Sequence, residues 1–178
     1  MISTHGERTT RTSSPPPIPT GPNSSSSRLV DEVRRRNNII SVLMSVHTVR
    51  VIGISFVIGV SFGILTPIFG YTAGVGDILI GVTALSMVYF FRKGHRLAAN
   101  ISIVWNILGS IDLVEAIFLG ITTSNPQLSA VVYHTSNTHP TMTTMPWILI
   151  PAIGVPILLT IHIITLWMLR GTNIKRKL

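Results

Sequence analysis

Four apolar stretches, each close to the length needed to cross a bilayer, constrain the fold of this chain more than any other feature. An α-helix rises about 1.5 Å per residue, so a hydrocarbon core of about 30 Å takes roughly 20 residues. The stretches run over 46–65, 73–91, 97–120 and 146–169. None sustains the alternation of a strand, and a membrane barrel needs at least about eight strands. The predicted fold class is therefore all-α, a four-helix transmembrane bundle. Composition points the same way: 46% of residues are hydrophobic and only 11% charged, with a mean hydropathy of +0.52. That is too little charge for a soluble domain of ordinary make-up.

The formal charge of +8 raises nucleic acid as a partner, but the basic residues flank apolar runs and do not interleave with aromatics, so none is predicted. Their distribution instead sets orientation. Arg8, Arg11, Arg28, Arg34, Arg35 and Arg36 precede the first span; Arg92, Lys93 and Arg96 lie in the second connection; Arg170, Lys175, Arg176 and Lys177 follow the last span. Connections 66–72 and 121–145 carry no Lys or Arg, leaving Arg50 as the exception. The positive-inside rule puts both termini in the cytoplasm of a multi-pass protein of the cell membrane. The lipid bilayer is the predicted partner, with a second copy or another membrane subunit beside it.

Around the membrane domain of 46–169 the composition divides the chain further. Residues 1–27 are rich in Ser and Pro and are expected to be a disordered tail. Residues 28–45 form a basic flank or an interfacial helix, and 170–178 a basic cytoplasmic tail. The first apolar segment starts far from residue 1 and is expected to stay in the mature protein, unlike a signal peptide.

Helices in lipid approach closely where small residues let backbones touch. Gly59 and Gly63 form one small-xxx-small step and Gly70 and Gly74 another, while Asp77, Gly81 and Ala84 share a face of the second helix. These glycines are expected to serve packing. Pro151 and Pro156 should bend the last helix.

Ionisable side chains inside a span are costly and mark pathways or pairings. Asp77, Asp112 and Glu115 fall in the outer half by helix direction, Arg50 and His162 in the cytoplasmic half, and Asn106 near the middle. The acids are expected to share a pocket that retains a proton or binds a cation, because two close carboxylates do not both ionise cheaply in low dielectric. Glu115 is the weaker member, near enough to the boundary to reach water. Arg50 is expected to snorkel at the inner rim, away from the acids. His162 is expected to be a hydrogen-bonded interior histidine; with His47, at the inner rim, it also offers two axial ligands for a b-type haem.

Absences narrow the chemistry. The chain has no cysteine, which removes disulfides, thiolate sites and cysteine nucleophiles. It has no HExxH, no GxSxG, no phosphate loop and no lysine within the spans. His134 and His139 sit in a Thr/Ser/Asn-rich loop and are expected to be solvated. No catalytic residue, cofactor or metal site is predicted.

The order VRVIGISFVIG (49–59), FGYTAGVGDILIGVTAL (69–85), VWNILGSIDLVEA (104–116) and LIPAIGVPILLTIHIITL (149–166) resembles a family of small, uncharacterised prokaryotic four-span membrane proteins. The resemblance covers 46–169 and implies shared roles for Arg50, Gly53, Gly74, Gly76, Asp77, Gly81, Asn106, Gly109, Asp112, Pro151, Pro156 and His162. Glu115, the N-terminal tail and the 121–145 loop lie outside its pattern. It implies no activity. Three classes of function follow from the residues: handling of a proton, cation or small solute through the intramembrane acids; a structural or assembly subunit of a membrane complex; and a haem-binding redox subunit.

Overall fold

Thr66 and Pro67 set the sharpest boundary in the chain. Proline has no N–H to lose at the first turn of a helix and is preorganised for it, and it opens α3, Pro67–Arg92. Just upstream, Gly63 takes φ +66°, a left-handed conformation that glycine adopts without steric cost, and ends the preceding helix. The computed structural model describes residues 24–94, 97–134, 144–145 and 147–175. Its other helices are α1 (Ser24–Val46), α2 (Ile54–Ser61), α4 (Ala98–Ser124), α5 (Pro126–Tyr133) and α6 (Val155–Lys175). A 3-10 segment, His47–Gly53, joins α1 to α2, and a π-helical segment, Ile150–Gly154, leads into α6. No strand occurs among the described residues.

Four helical stretches are long and apolar enough to cross a membrane: Ser26–Ser61, Pro67–Arg92, Ala98–Ser124 and Ile150–Arg170. The first differs most from expectation. It is one continuous helical run of 36 residues, ending at Ser61 and not at 65, and residues 28–45 are helical within it. Ile39, Ile40, Val42, Leu43 and Met44 extend the apolar run backward, so the boundary expected at 46 falls inside a helix. Most of the expected tail lies outside the described residues, and its last residues, 24–27, begin α1. Within the 121–145 connection, α5 is a helix that sequence reading missed; Asn125 caps it by accepting from the backbone N–H groups of Gln127 (2.9 Å) and Leu128 (3.2 Å), a standard N-cap arrangement.

The last span begins irregularly for a local reason. Pro156 cannot donate to the carbonyl four residues back and its ring crowds that carbonyl. The backbone responds by widening, and Val155 N–H bonds to Ile150 O, the i→i−5 pattern of a π-bulge.

Two apolar clusters hold the helices together. Ile40, Met44, Ile80, Ala84, Met87, Trp105 and Leu169 pack at the end where α1 begins and α6 finishes. Phe56, Leu65, Phe69, Ala73 and Leu119 pack at the other end. Between them lies a layer of buried polar groups.

Candidate functional site

That layer starts from the 3-10 segment. With three residues per turn, positions i and i+3 eclipse, so His47, Arg50 and Gly53 line up on one face, and these are its three buried residues. A regular α-helix would rotate them progressively apart. The same spacing of three continues through Phe56 and Gly59. Arg50 is thereby turned wholly inward, with 1% of its surface exposed.

Its guanidinium is shared among three acceptors on two neighbouring helices. Nε donates to Asp77 Oδ1 at 2.6 Å, Nη1 to the Gly109 carbonyl at 3.2 Å, and Nη2 to Asp112 Oδ2. The planar fork of donors suits acceptors spread over two helices. The sequence had set Arg50 at the inner rim, apart from the acids; the structure brings them together. The reason is the longer first helix: Arg50 lies eleven residues before Ser61, Asp77 ten after Pro67, and Asp112 twelve before Ser124. At about 1.5 Å per residue all three sit about 15–18 Å from those ends and so lie at a similar height along the helices. Glu115 stands apart, exposed on α4 one turn beyond Asp112.

Glycines permit the approach. A Cβ on Gly53 would strike Asp77, and would lie 2.9 Å from the Gly74 carbonyl. On Gly81 it would lie 2.6 Å from Val51 N, and on Gly76 it would collide with the Asp112 carboxylate. Gly59 instead faces Leu65, 3.0 Å from its Cδ1, and Gly63 lies in open space beyond the helix end; the step expected between them is not a helix contact.

Gly109 has the most demanding surroundings. A Cβ there would meet His162 Cε1 at 2.5 Å and approach Arg50 Nη1 at 3.4 Å, so its bare backbone separates guanidinium from imidazole. Gly109→Ala is expected to destabilise the protein by about 1–3 kcal/mol through overpacking. Gly109→Ala combined with His162→Ala should regain most of that loss, read as the thermal midpoint in detergent; a Gly109→Ala variant as stable as the parent would show that the contact is not tight.

His162 is completely buried. Asn106 Nδ2 donates to Ser102 O at 2.8 Å, which turns Asn106 Oδ1 toward His162 Nδ1 at 2.9 Å. An amide oxygen only accepts, so His162 Nδ1 carries the proton. Its Nε2, and both nitrogens of His47, have no hydrogen-bond partner among the described residues. The two rings stack at 3.7 Å and 18°, and Trp105 sets its ring 5.6 Å from His47 at 77° while donating from Nε1 to Thr83 Oγ1 at 2.9 Å. Face-to-face contact leaves no space for a porphyrin between the imidazoles, which argues against bis-histidine haem ligation. Ser41 and Ser102, also buried and without side-chain partners, continue the polar stripe along α1 and α4 toward the Ile40 end. Sequence reading missed Trp105 and Thr83, although Trp105 adjoins Asn106, a residue it did single out.

His134 ends α5, exposed, and His139 lies outside the described residues. Among the described residues no group of three or more His, Asp or Glu is placed to hold a metal.

Beside Asp77 a cavity of about 330 Å³ opens between α2, α3, α4 and the π-helical segment, lined by Phe56, Phe69, Leu113, Ile117, Ile150 and Asp77 itself. The molecule is thus an all-helical protein with four membrane-length helices around a buried arginine–carboxylate centre. Residues 28–170 match a domain of unknown function, DUF8737, and the chain belongs to that family. The match begins within α1, so the family unit includes the basic lead-in as well as the four apolar stretches. No curated protein and no solved structure matches the chain.

Proposed function

We propose that this is a polytopic membrane protein that binds and passes a proton through the Arg50–Asp77–Asp112 centre, with both termini on the cytoplasmic side. The observation that carries the reading is a fully buried guanidinium shared by two carboxylates. One cation faces two acids, so the centre reaches neutrality by holding one proton or one further cation. Isolated charge at the middle of a bilayer is costly, which favours the neutral form. A cavity lies against Asp77, and a stripe of His and Ser side chains with ring nitrogens and hydroxyls unpartnered among the described residues leads away from Arg50. Both supply the access that a proton site needs.

Purified protein in liposomes loaded with a pH-sensitive dye tests this. Under an imposed potential the parent should conduct protons, and Asp112→Asn and Asp77→Asn should each fall to the rate of empty liposomes. Undiminished flux in both variants, or none in the parent, overturns the reading. The second reading, a static clamp in a structural or assembly subunit, is favoured by the cross-linking of three helices through one side chain; it predicts no parental flux together with strong destabilisation when Arg50 is removed.

Orientation is tested separately. The chain has no cysteine, so single cysteines report without background. Thr144→Cys should react with a membrane-impermeant maleimide in intact cells and Lys93→Cys only after permeabilisation; the reverse pattern would invert the topology.

A further inference from the structure

We infer that the cavity beside Asp77 is a binding site for an amphipathic ammonium ion, with an apolar body and a protonated amine, taken up in exchange for the proton of the centre. Three observations meet here. The walls are aromatic and aliphatic, from Phe56, Phe69, Leu113, Ile117 and Ile150, and Asp77 is the charged residue among them. The volume of about 330 Å³ lies at the small end of what ligand pockets usually hold. Asp77 gives Oδ1 to Arg50, and its Oδ2 accepts no hydrogen bond among the described residues, so an acceptor oxygen is open to a second donor.

Charge decides the sign of the ligand. With Arg50 paired to both acids, a second cation brings the centre to neutrality with both carboxylates ionised. An anion would add to the excess negative charge, and a neutral body would leave the proton where it is. The exchange balances: the carboxylic acid loses its proton to solvent, and the resulting carboxylate pairs with the incoming ammonium, one proton released per ligand bound. The Pro-widened turn at Ile150–Gly154 forms part of the wall. Irregular backbone at membrane depth is tolerated where it lines a cavity, which fits a wall facing a ligand better than one facing packed helices.

The inference rests on the reading of this centre as one that exchanges a proton, and its test keeps the two apart. The probes are 1-naphthylmethylammonium, the neutral 1-naphthylmethanol and the anionic 1-naphthylacetate, which share a body and differ in the head group. Each is titrated into protein in lipid nanodiscs against empty nanodiscs, by fluorescence and by proton release in weak buffer. The ammonium should bind saturably at one site, at least about tenfold tighter than the alcohol, a difference of about 1.4 kcal/mol, with one proton released; the acetate should not bind. Asp77→Asn should abolish the preference and the proton release.

Gly120→Leu supplies the second arm. A Cβ on Gly120 meets only Phe69 Cε2, at an ordinary 3.6 Å, so the backbone accepts a side chain that would extend into the cavity. This variant should lose ammonium binding while the carboxyl infrared band of the Asp77–Asp112 centre still responds to pH as in the parent. Equal binding of ammonium and alcohol, or no binding of either, overturns the inference, whereas lost flux with intact ammonium binding would overturn only the proton-passage reading.

Discussion

Arg50→Gln is expected to lower the unfolding free energy by about 3–5 kcal/mol, the usual cost of removing one partner from a buried ionic set. The amide is too short to reach both Asp77 and Asp112, and it strands two carboxylates and the Gly109 carbonyl that now accept from one guanidinium. For a protein of this size each kcal/mol is worth about 2–4 °C, so the thermal midpoint should fall by about 10 °C. Arg50→Lys should recover part of the loss, since an ammonium keeps the charge but not the fork. The decisive comparison is Arg50→Gln with Asp77→Asn and Asp112→Asn together. Removing all the charges removes the desolvation cost with them, and this triple variant should be more stable than Arg50→Gln alone. A single variant as stable as the parent would mean that the guanidinium and carboxylates are solvated and do not tie the helices.

The charges in this centre were legible in the sequence and its assembly was not. Asp77, Asp112 and Arg50 stand out because ionisable residues within apolar runs are rare, but their depth follows from where each run begins. The first run was started at Val46, past Arg34, Arg35, Arg36 and the Asn37–Asn38 pair, when its apolar face resumes at Ile39. An error of seven residues at about 1.5 Å each moves Arg50 by about 10 Å along the span, away from the level of the acids. The spacing of three between His47, Arg50 and Gly53 was present in the sequence, yet it selects one face only if the backbone is 3-10, and nothing local compels that conformation. Close packing against Gly74 and Gly81 on α3 accompanies it, a tertiary effect. Pro151 and Pro156 did announce an irregular last span, but a π-turn and a kink are not distinguished by the prolines alone.

The histidine pair turns the proton reading into its second large expectation. Asn106 holds His162 with the proton on Nδ1, leaving Nε2 as an unpartnered acceptor beside Gly109, and His47 stacks beneath with both nitrogens free. A ring that accepts at one nitrogen and donates from the other can relay a proton without moving far. Phenylalanine at either position keeps an aromatic ring in the stack and removes the relay. His162→Phe and His47→Phe should each therefore cut proton flux by about 10²-fold or more, the usual scale for a positioned acid–base group. The carboxyl band of the Asp77–Asp112 centre should still respond to pH in the infrared, because the centre itself is untouched and the cavity beside Asp77 remains. Loss of the band's pH response along with the flux would place the histidines within the binding centre and not on the path from it. Full flux in both variants would direct the path elsewhere, through the cavity on one side of Asp77 and past Ser41 and Ser102 by water on the other.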